Sequence, residues 1–135
     1  MRDFYQFIKK YPLSIACFLL IWILSLMPFF PETPLDGVKF IDKWTHLVMY
    51  GGACSVLWIE YIRAHPRSLP KGGAGGRLFL FAWLAPILMS GLLELLQAYA
   101  TTTRSGEWLD FASNSLGVTL GAVFGMILLL IRNKK

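Results

Sequence analysis

Charged residues and cysteines are scarce in this sequence of 135 residues. Only 16% of the residues are charged, whereas 56% are hydrophobic. A soluble domain of this size needs more charge to cover its surface, so the composition argues against a soluble protein. The two cysteines, Cys17 and Cys54, lie in separate apolar runs without the spacing of metal ligands. We interpret both as small buried hydrophobic side chains.

Motifs of common soluble enzymes are also missing. The glycine-rich run 71–76 is not joined to the Lys-Ser/Thr pair of a phosphate-binding loop. No cysteine or serine has an obvious base partner, although Ser105 and Ser113 stay open as nucleophiles. The net charge of +5 could suggest nucleic acid, but the distribution of the basic residues indicates a membrane. We therefore expect membrane lipids as partners and no nucleic acid.

Four apolar stretches are long enough to cross a bilayer, at about 12–30, 44–62, 78–100 and 111–131. A helix needs about 20 apolar residues to cross a hydrocarbon core of roughly 30 Å. The first stretch resembles a signal peptide in its basic flank, but it is longer, and no small-residue cleavage site follows it. Backbone groups in lipid must be paired within the protein, so we predict an all-α fold. It would be a transmembrane bundle of four helices, formed by a single domain over residues 1–135.

Basic residues are distributed unequally between the two sides of such a bundle. The positive-inside rule predicts that the richer side, which holds both termini, is cytoplasmic. The predicted location is the bacterial cell (inner) membrane, as a multipass protein. The richer side has ten basic residues, namely Arg2, Lys9, Lys10, Arg63, Arg67, Lys71, Arg77, Arg132, Lys134 and Lys135, and the other side has Lys39, Lys43 and Arg104.

Polar residues gather near the outer end of the second, third and fourth stretches. Their spacings of three or four residues place them on one face of each helix. A rise of 1.5 Å per residue puts several of them about 6–8 Å below the outer surface. Ionisable side chains at membrane depth are costly and usually functional. We predict an outward-facing, partly water-filled pocket formed by Asp42, Lys43, His46, Tyr50, Glu94, Gln97, Asp110 and Asn114, with Arg104 and Glu107 at its rim.

The candidate acid/base residues of this pocket are Glu94, His46 and Asp110. Histidine changes its charge near neutral pH, and a carboxyl group can exchange protons with it. The remaining pocket residues would bind a substrate, and Arg104 has the planar fork that suits a phosphate or carboxylate. One histidine among carboxylates is weak evidence for a metal ion. We therefore expect neither a metal nor a cofactor.

Structural roles are open for the same residues. Asp42 and Asp110 stand where helices begin and could serve only as N-caps. Glu94 could form a structural ion pair with Arg104 or Lys43, or it could carry a proton. Asn114 could do no more than connect two helices by a hydrogen bond.

The polar residues also form one extended pattern over about two thirds of the chain. The pattern reads Asp42-Lys43-x-x-His46-x-x-x-Tyr50, then Glu94-x-x-Gln97, then Arg104-x-x-Glu107-x-x-Asp110-x-x-x-Asn114-x-x-Gly117-x-x-x-Gly121. It resembles the VanZ-like membrane proteins. The resemblance implies a connection to the cell envelope, because the founding member is linked to low-level resistance to the glycopeptide teicoplanin. Most relatives have no assigned activity, so no mechanism follows.

Two functions are left as hypotheses, and whether the protein is an enzyme stays open. The pocket could bind or modify an envelope lipid or a lipid-linked cell-wall component from the outer leaflet. Alternatively, the protein could be a non-catalytic accessory or sensing subunit of an envelope complex. Its partner would then pack on Gly117, Gly121 and Gly125, whose spacing of four permits close helix approach. Proton-coupled transport is disfavoured, because the polar residues stop at one leaflet and only Glu60 lies near the other.

Overall fold

The computed structural model describes residues 1–27, 34, 37, 39–65, 73–100 and 108–134. Within these ranges the chain is all-helical and has no strand, so the predicted all-α class is confirmed. Two helical segments, Phe79–Tyr99 and Trp108–Arg132, are long and apolar enough to cross a membrane, and a bent helix pair could provide a third crossing. The helices are α1 (Arg2–Lys10), α2 (Pro12–Leu26), α3 (Ile41–Ala64), α4 (Gly73–Ala100) and α5 (Trp108–Asn133).

The N-terminal part of the chain bends sharply where α1 meets α2. The two helices make an angle of 87° around Tyr11. Pro12 opens α2, lacks an N–H group, and disfavours a helical conformation for the residue before it. No residue of α1 is buried. The predicted first crossing is thus helical up to Leu26, and residues 28–30 of that stretch lie outside the described part of the chain.

A buried carboxylate from α3 holds the start of α2. Glu60 is 5% exposed. It accepts hydrogen bonds from the backbone N–H groups of Leu13 and Ser14, each at 2.9 Å, and from the Ser14 hydroxyl at 2.6 Å. The first N–H groups of a helix have no partner inside the helix, and the helix dipole favours negative charge there. This contact joins the end of α3 to the beginning of α2, so the two helices run antiparallel.

Helices α3 and α5 run parallel and make the most extensive helix contact of the fold. A Cβ atom added to Gly117 would collide with the backbone of Leu47 and lie 3.0 Å from Gly51 N. A Cβ atom on Gly125 would collide with the ring of Trp58. The missing side chains therefore let the two backbones approach. The glycine face predicted to pack against another helix is occupied by α3 of the same chain, so a partner subunit would have to dock elsewhere.

Helix α4 completes the bundle and runs antiparallel to α5. Trp83 Nε1 donates to Thr119 Oγ1 at 3.0 Å near the middle of the pair. Gln97 Nε2, near the end of α4, donates to the Ser25 carbonyl oxygen at 2.6 Å, which connects α4 to the end of α2. Pro86 lies inside α4 without ending it. Each of α3 to α5 therefore runs opposite to the helix before it.

Apolar side chains are buried in a small core and also cover much of the surface. The core includes Ile21, Tyr50, Leu93 and Val118, each no more than 3% exposed. One face of α4 exposes large apolar side chains at Leu80, Phe81, Leu84, Leu88, Leu92 and Leu95. Apolar surface of this extent indicates contact with a membrane or another apolar partner.

A candidate polar site between three helices

The structure brings polar side chains from three helices together at one end of the bundle. The first turns of α3 and α5 lie side by side, because the two helices are parallel. The last turns of α4 reach the same level, because α4 is antiparallel to α5. We call this group the polar cluster, and it comprises Lys43, His46, Glu94, Asp110 and Asn114.

Lys43 and Asp110 form a buried ion pair between α3 and α5. The distance between Lys43 Nζ and Asp110 Oδ1 is 2.7 Å, and the side chains are 15% and 11% exposed. Lys43 Nζ also lies 2.6 Å from Asp42 Oδ2, but the Asp42 side chain is 58% exposed. The hydrogen bond from Lys43 holds the pKa of Asp42 below its usual range. Asp42 is thus at the edge of the cluster and Asp110 is inside it.

The N-cap interpretation of the two aspartates is wrong. Phe40 occupies the N-cap position of α3, and no side chain caps that helix. Asp42 lies one position further, in the first turn, and Asp110 lies in the first turn of α5, which begins at Trp108. Both carboxylates are favourably placed for the helix dipoles. Their position in the first turn also lets them reach the neighbouring helix.

His46, Asn114 and Glu94 form a chain of hydrogen bonds across three helices. Asn114 Nδ2 donates to Glu94 Oε1 at 3.4 Å, and Asn114 Oδ1 lies 2.9 Å from His46 Nδ1. An amide oxygen can only accept, so Nδ1 of His46 carries the hydrogen. The other ring nitrogen, Nε2, faces Asp110 Oδ2 at 3.8 Å. The second ring nitrogen of His46 is therefore directed toward a carboxylate.

The three predicted acid/base residues share one small volume. One potential ligand atom from each of His46, Glu94 and Asp110 lies within 4.8 Å of the other two. Glu94 and Asp110 are each 8% exposed. This arrangement could exchange a proton between the imidazole and a carboxyl group, or it could hold a metal ion.

Two further hydroxyl groups are buried beside the cluster. Tyr50 is 1% exposed, and its hydroxyl has no hydrogen-bond partner among the described residues. Tyr50 and Glu94 are close enough to interact electrostatically. Ser90, which was not predicted as a site residue, is fully buried one turn before Glu94, and its hydroxyl has no partner in the described part of the chain. Its position four residues from Glu94 was the signal that could have identified it.

Gln97 is near the site but contacts a different helix. It is 3% exposed, and its amide donates to the Ser25 carbonyl oxygen. This bond connects α4 to α2, which favours a structural role for Gln97. The two predicted rim residues, Arg104 and Glu107, lie outside the described residues.

An apolar groove between α4 and α5 leads to the polar cluster. Its volume is about 610 Å³. Glu94 is the carboxylate among the described residues that line it, and the other lining side chains are nearly all apolar. They include Leu88, Leu95, Tyr99, Trp108 and Phe111. The groove and the polar cluster therefore share Glu94.

Comparisons with known proteins do not place the chain in a family. No protein-family model, curated protein or solved structure matches it. The resemblance to the VanZ-like proteins therefore depends on the residue pattern alone.

Proposed function

We propose that this chain is a VanZ-like membrane protein whose polar cluster binds the head group of an envelope lipid or lipid-linked cell-wall component. The main observation in support of this proposal is that Glu94 belongs both to the polar cluster and to an apolar groove of about 610 Å³. A ligand that is apolar at one end and polar at the other satisfies both surfaces. Ligand sites are typically apolar with a few polar groups that set the orientation.

Four membrane crossings with cytoplasmic termini are part of this proposal. The alternating directions of α2 to α5 support it, since consecutive crossings must alternate. The end that holds Glu60 and Ser14 also holds Arg132, which donates to the carbonyl oxygens of Ile62 and His65 at 3.0 and 2.8 Å. The predicted topology assigns ten of the thirteen basic residues to this end, which supports its cytoplasmic location. The polar cluster would then open to the outer leaflet.

The groove would receive the apolar part of the ligand. An acyl or isoprenoid chain in it would contact leucine and aromatic side chains, and burial of this apolar surface is favourable. The head group would lie beside Glu94, within reach of His46 and Asp110. Arg104 would meet a phosphate or carboxylate of that head group at the rim.

Proton transfer is the chemistry that the cluster supports if the bound lipid is also modified. His46 Nε2 has a lone pair that accepts a proton, and Asp110 Oδ2 would stabilise the resulting imidazolium at 3.8 Å. Glu94 would exchange the proton with the substrate. Hydrolysis and group transfer both use such a pair. The resemblance adds a possible consequence, a change in resistance to teicoplanin.

Mass spectrometry of lipids and cell-wall precursors tests the proposal. Glu94→Gln preserves the shape of the side chain and removes its titration, and Asp3→Asn makes the same kind of change on the exposed helix α1. The deletion strain and the Glu94→Gln strain should share a change in one lipid or lipid-linked species, whereas Asp3→Asn should match the wild type. If the deletion changes a species and Glu94→Gln does not, the polar cluster is not the working site. Unchanged lipids together with one co-purifying envelope protein would instead support the accessory-subunit hypothesis.

A further inference from the structure

Three side chains of the polar cluster, His46, Glu94 and Asp110, lie close enough together to be ligands of a single metal ion. Ligand atoms lie about 2.0–2.2 Å from Zn²⁺, so in a tetrahedral site two of them are about 3.4 Å apart. The distance of 3.8 Å between His46 Nε2 and Asp110 Oδ2 is slightly longer than this value. A ligand atom of Glu94 lies within 4.8 Å of a ligand atom of His46 and of one of Asp110, and a small side-chain rotation would bring the three into range. We propose that His46, Glu94 and Asp110 bind one divalent transition-metal ion, for which Zn²⁺ is the best fit.

The orientation of His46 supports this site. A histidine that ligates a metal usually donates its other ring N–H to a carbonyl or carboxylate oxygen, which fixes the ring. His46 Nδ1 lies 2.9 Å from Asn114 Oδ1, and Asn114 Nδ2 also contacts Glu94 Oε1. Asn114 therefore orients two of the three proposed ligands at once.

Asp110 is also held in position by a neighbouring side chain. Lys43 holds Oδ1 at 2.7 Å, and Oδ2 faces His46. A gap of 3.8 Å is too long for a direct hydrogen bond. A cation between the two atoms would be contacted by both.

The hydroxyl of Tyr50 is a second, independent indication of a ligand. Tyr50 is 1% exposed, and its hydroxyl has no partner among the described residues. It follows His46 by one turn, and long side chains of a helix lean toward its N-terminus, so the hydroxyl is directed toward the cluster. A buried hydroxyl without a hydrogen bond is costly. A water molecule on the bound ion would provide the missing partner.

One nitrogen and two carboxylate oxygens favour Zn²⁺ over the hard cations. Zn²⁺ binds histidine and carboxylate in sites that keep one position open for water. Mg²⁺ prefers oxygen ligands in near-ideal octahedral geometry and keeps several waters. The ion would occupy Nε2 in place of a proton, so His46 would act as a ligand and not as the proton acceptor described above. The proposed lipid binding is unaffected, and the metal site does not depend on it.

Metal titration of the purified full chain in detergent, without added lipid, tests the site. Chelator-treated wild-type protein should bind one Zn²⁺ per chain by calorimetry, and Co²⁺ should give a visible absorption band that Zn²⁺ removes. His46→Gln and Glu94→Gln should lose this binding. Asn114→Ala should weaken it about 10- to 100-fold, as expected for a residue that positions ligands. His65→Gln is the matched control, since it removes the other histidine at the opposite end of α3.

Three results would overturn the proposal. The first is that the wild-type protein does not bind one Zn²⁺ per chain. The second is that the His46→Gln protein binds Zn²⁺ like the wild type, and the third is that the His65→Gln protein loses Zn²⁺ binding. Circular dichroism and gel filtration identify variants that fail to fold. If one ligand variant is misfolded, the other decides, because each removes a different ligand. The lipid measurement described above is separate, so either proposal can fail while the other stands.

Discussion

The two ends of the bundle both bury charged side chains, but they use them differently. At the capped end, Glu60 accepts three hydrogen bonds from the start of α2, and Arg132 donates to two carbonyl oxygens at the end of α3. At the cluster end, the charged groups contact other side chains. Backbone partners at helix ends are typical of structural contacts, whereas converging side chains are typical of sites. Burial of charge alone therefore does not identify a site, but the identity of the partners does.

Gly117 lies between the two ends, and its substitution should have the largest effect on stability. Gly117→Val would place side-chain atoms against the backbone of Leu47 and separate α3 from α5. We expect a loss of about 3 kcal/mol in the free energy of unfolding, measured by detergent-induced unfolding in mixed micelles. Both ends should be affected, because both depend on this helix pair. Gly52→Val is the control, since a Cβ there meets nothing within 4 Å. A stable Gly117→Val protein would mean that the glycine contact is not required.

Glu60→Gln should cause the next largest loss of stability, and it tests the role of the capped end. A hydrogen bond to a charged group contributes about 1.5–3 kcal/mol, and the amide retains only part of the acceptor capacity. We expect about 2 kcal/mol lower stability in the same unfolding assay, with Zn²⁺ binding retained by the protein that stays folded. A loss of Zn²⁺ binding in folded Glu60→Gln protein would show that the two ends are not independent.

Glu94→Gln is the same chemical change at the other end of the bundle. It should have the opposite effects, a small change in stability and a loss of Zn²⁺ binding. The residue is 8% exposed, and glutamine keeps its shape and an oxygen that can accept the hydrogen bond from Asn114. We expect the free energy of unfolding to change by less than about 1 kcal/mol. Zn²⁺ binding and the lipid phenotype should nevertheless be lost. If Glu94→Gln destabilises the protein as much as Glu60→Gln does, the contrast between a structural end and a functional end is not valid.

The backbone before the cluster offers a smaller test. Phe40 has a φ of 59°, and it is the only non-glycine residue in the described part of the chain with a positive φ. A bulky residue in the left-handed region is strained, and the cost is of order 1 kcal/mol. Phe40→Gly should relieve this strain, although glycine gains entropy in the unfolded chain. We expect a net stabilisation of no more than about 1 kcal/mol, and Phe40→Ala, which retains the strain, should show none.

Asp42 should produce the smallest effect. Its hydrogen bond with Lys43 lowers the pKa of the folded state, so the associated stability is present at neutral pH and disappears as the pH falls through that value. The side chain is 58% exposed, so this contribution should stay below about 0.5 kcal/mol. Unfolding measurements at pH 3 to 7 should give nearly parallel curves for the wild type and Asp42→Asn. A large difference would place Asp42 inside the cluster.

Much of the cluster was predictable because it depends on local geometry. Spacing along a helix predicted which residues share a face, and the rise per residue predicted that His46, Glu94 and Asn114 lie at one level. The glycine spacing of α5 likewise predicted a close helix contact. The identity of the neighbouring helix was not predictable, since spacing within one helix says nothing about which other helix faces it.

The features that the sequence did not reveal all depend on tertiary partners. The sequence places Glu60 only near the inner end of the second apolar stretch, whereas the structure shows that its carboxylate accepts hydrogen bonds from α2. Nothing near Glu60 in sequence indicates this, because its partners are 46 and 47 residues away. The bend at Tyr11 had a local signal, the proline that follows, but its angle depends on what α1 contacts.

The parallel pairing of α3 with α5 has a consequence for biosynthesis. Helix α3 carries Lys43, His46 and Glu60, and it is not among the described helices that are apolar enough to cross a membrane alone. Its polar groups at the cluster end find their partners in α5, which is synthesised after α3. We therefore expect newly made α3 to remain beside the insertion machinery until α5 emerges. Truncation before residue 108 should leave a chain that integrates poorly and is degraded quickly.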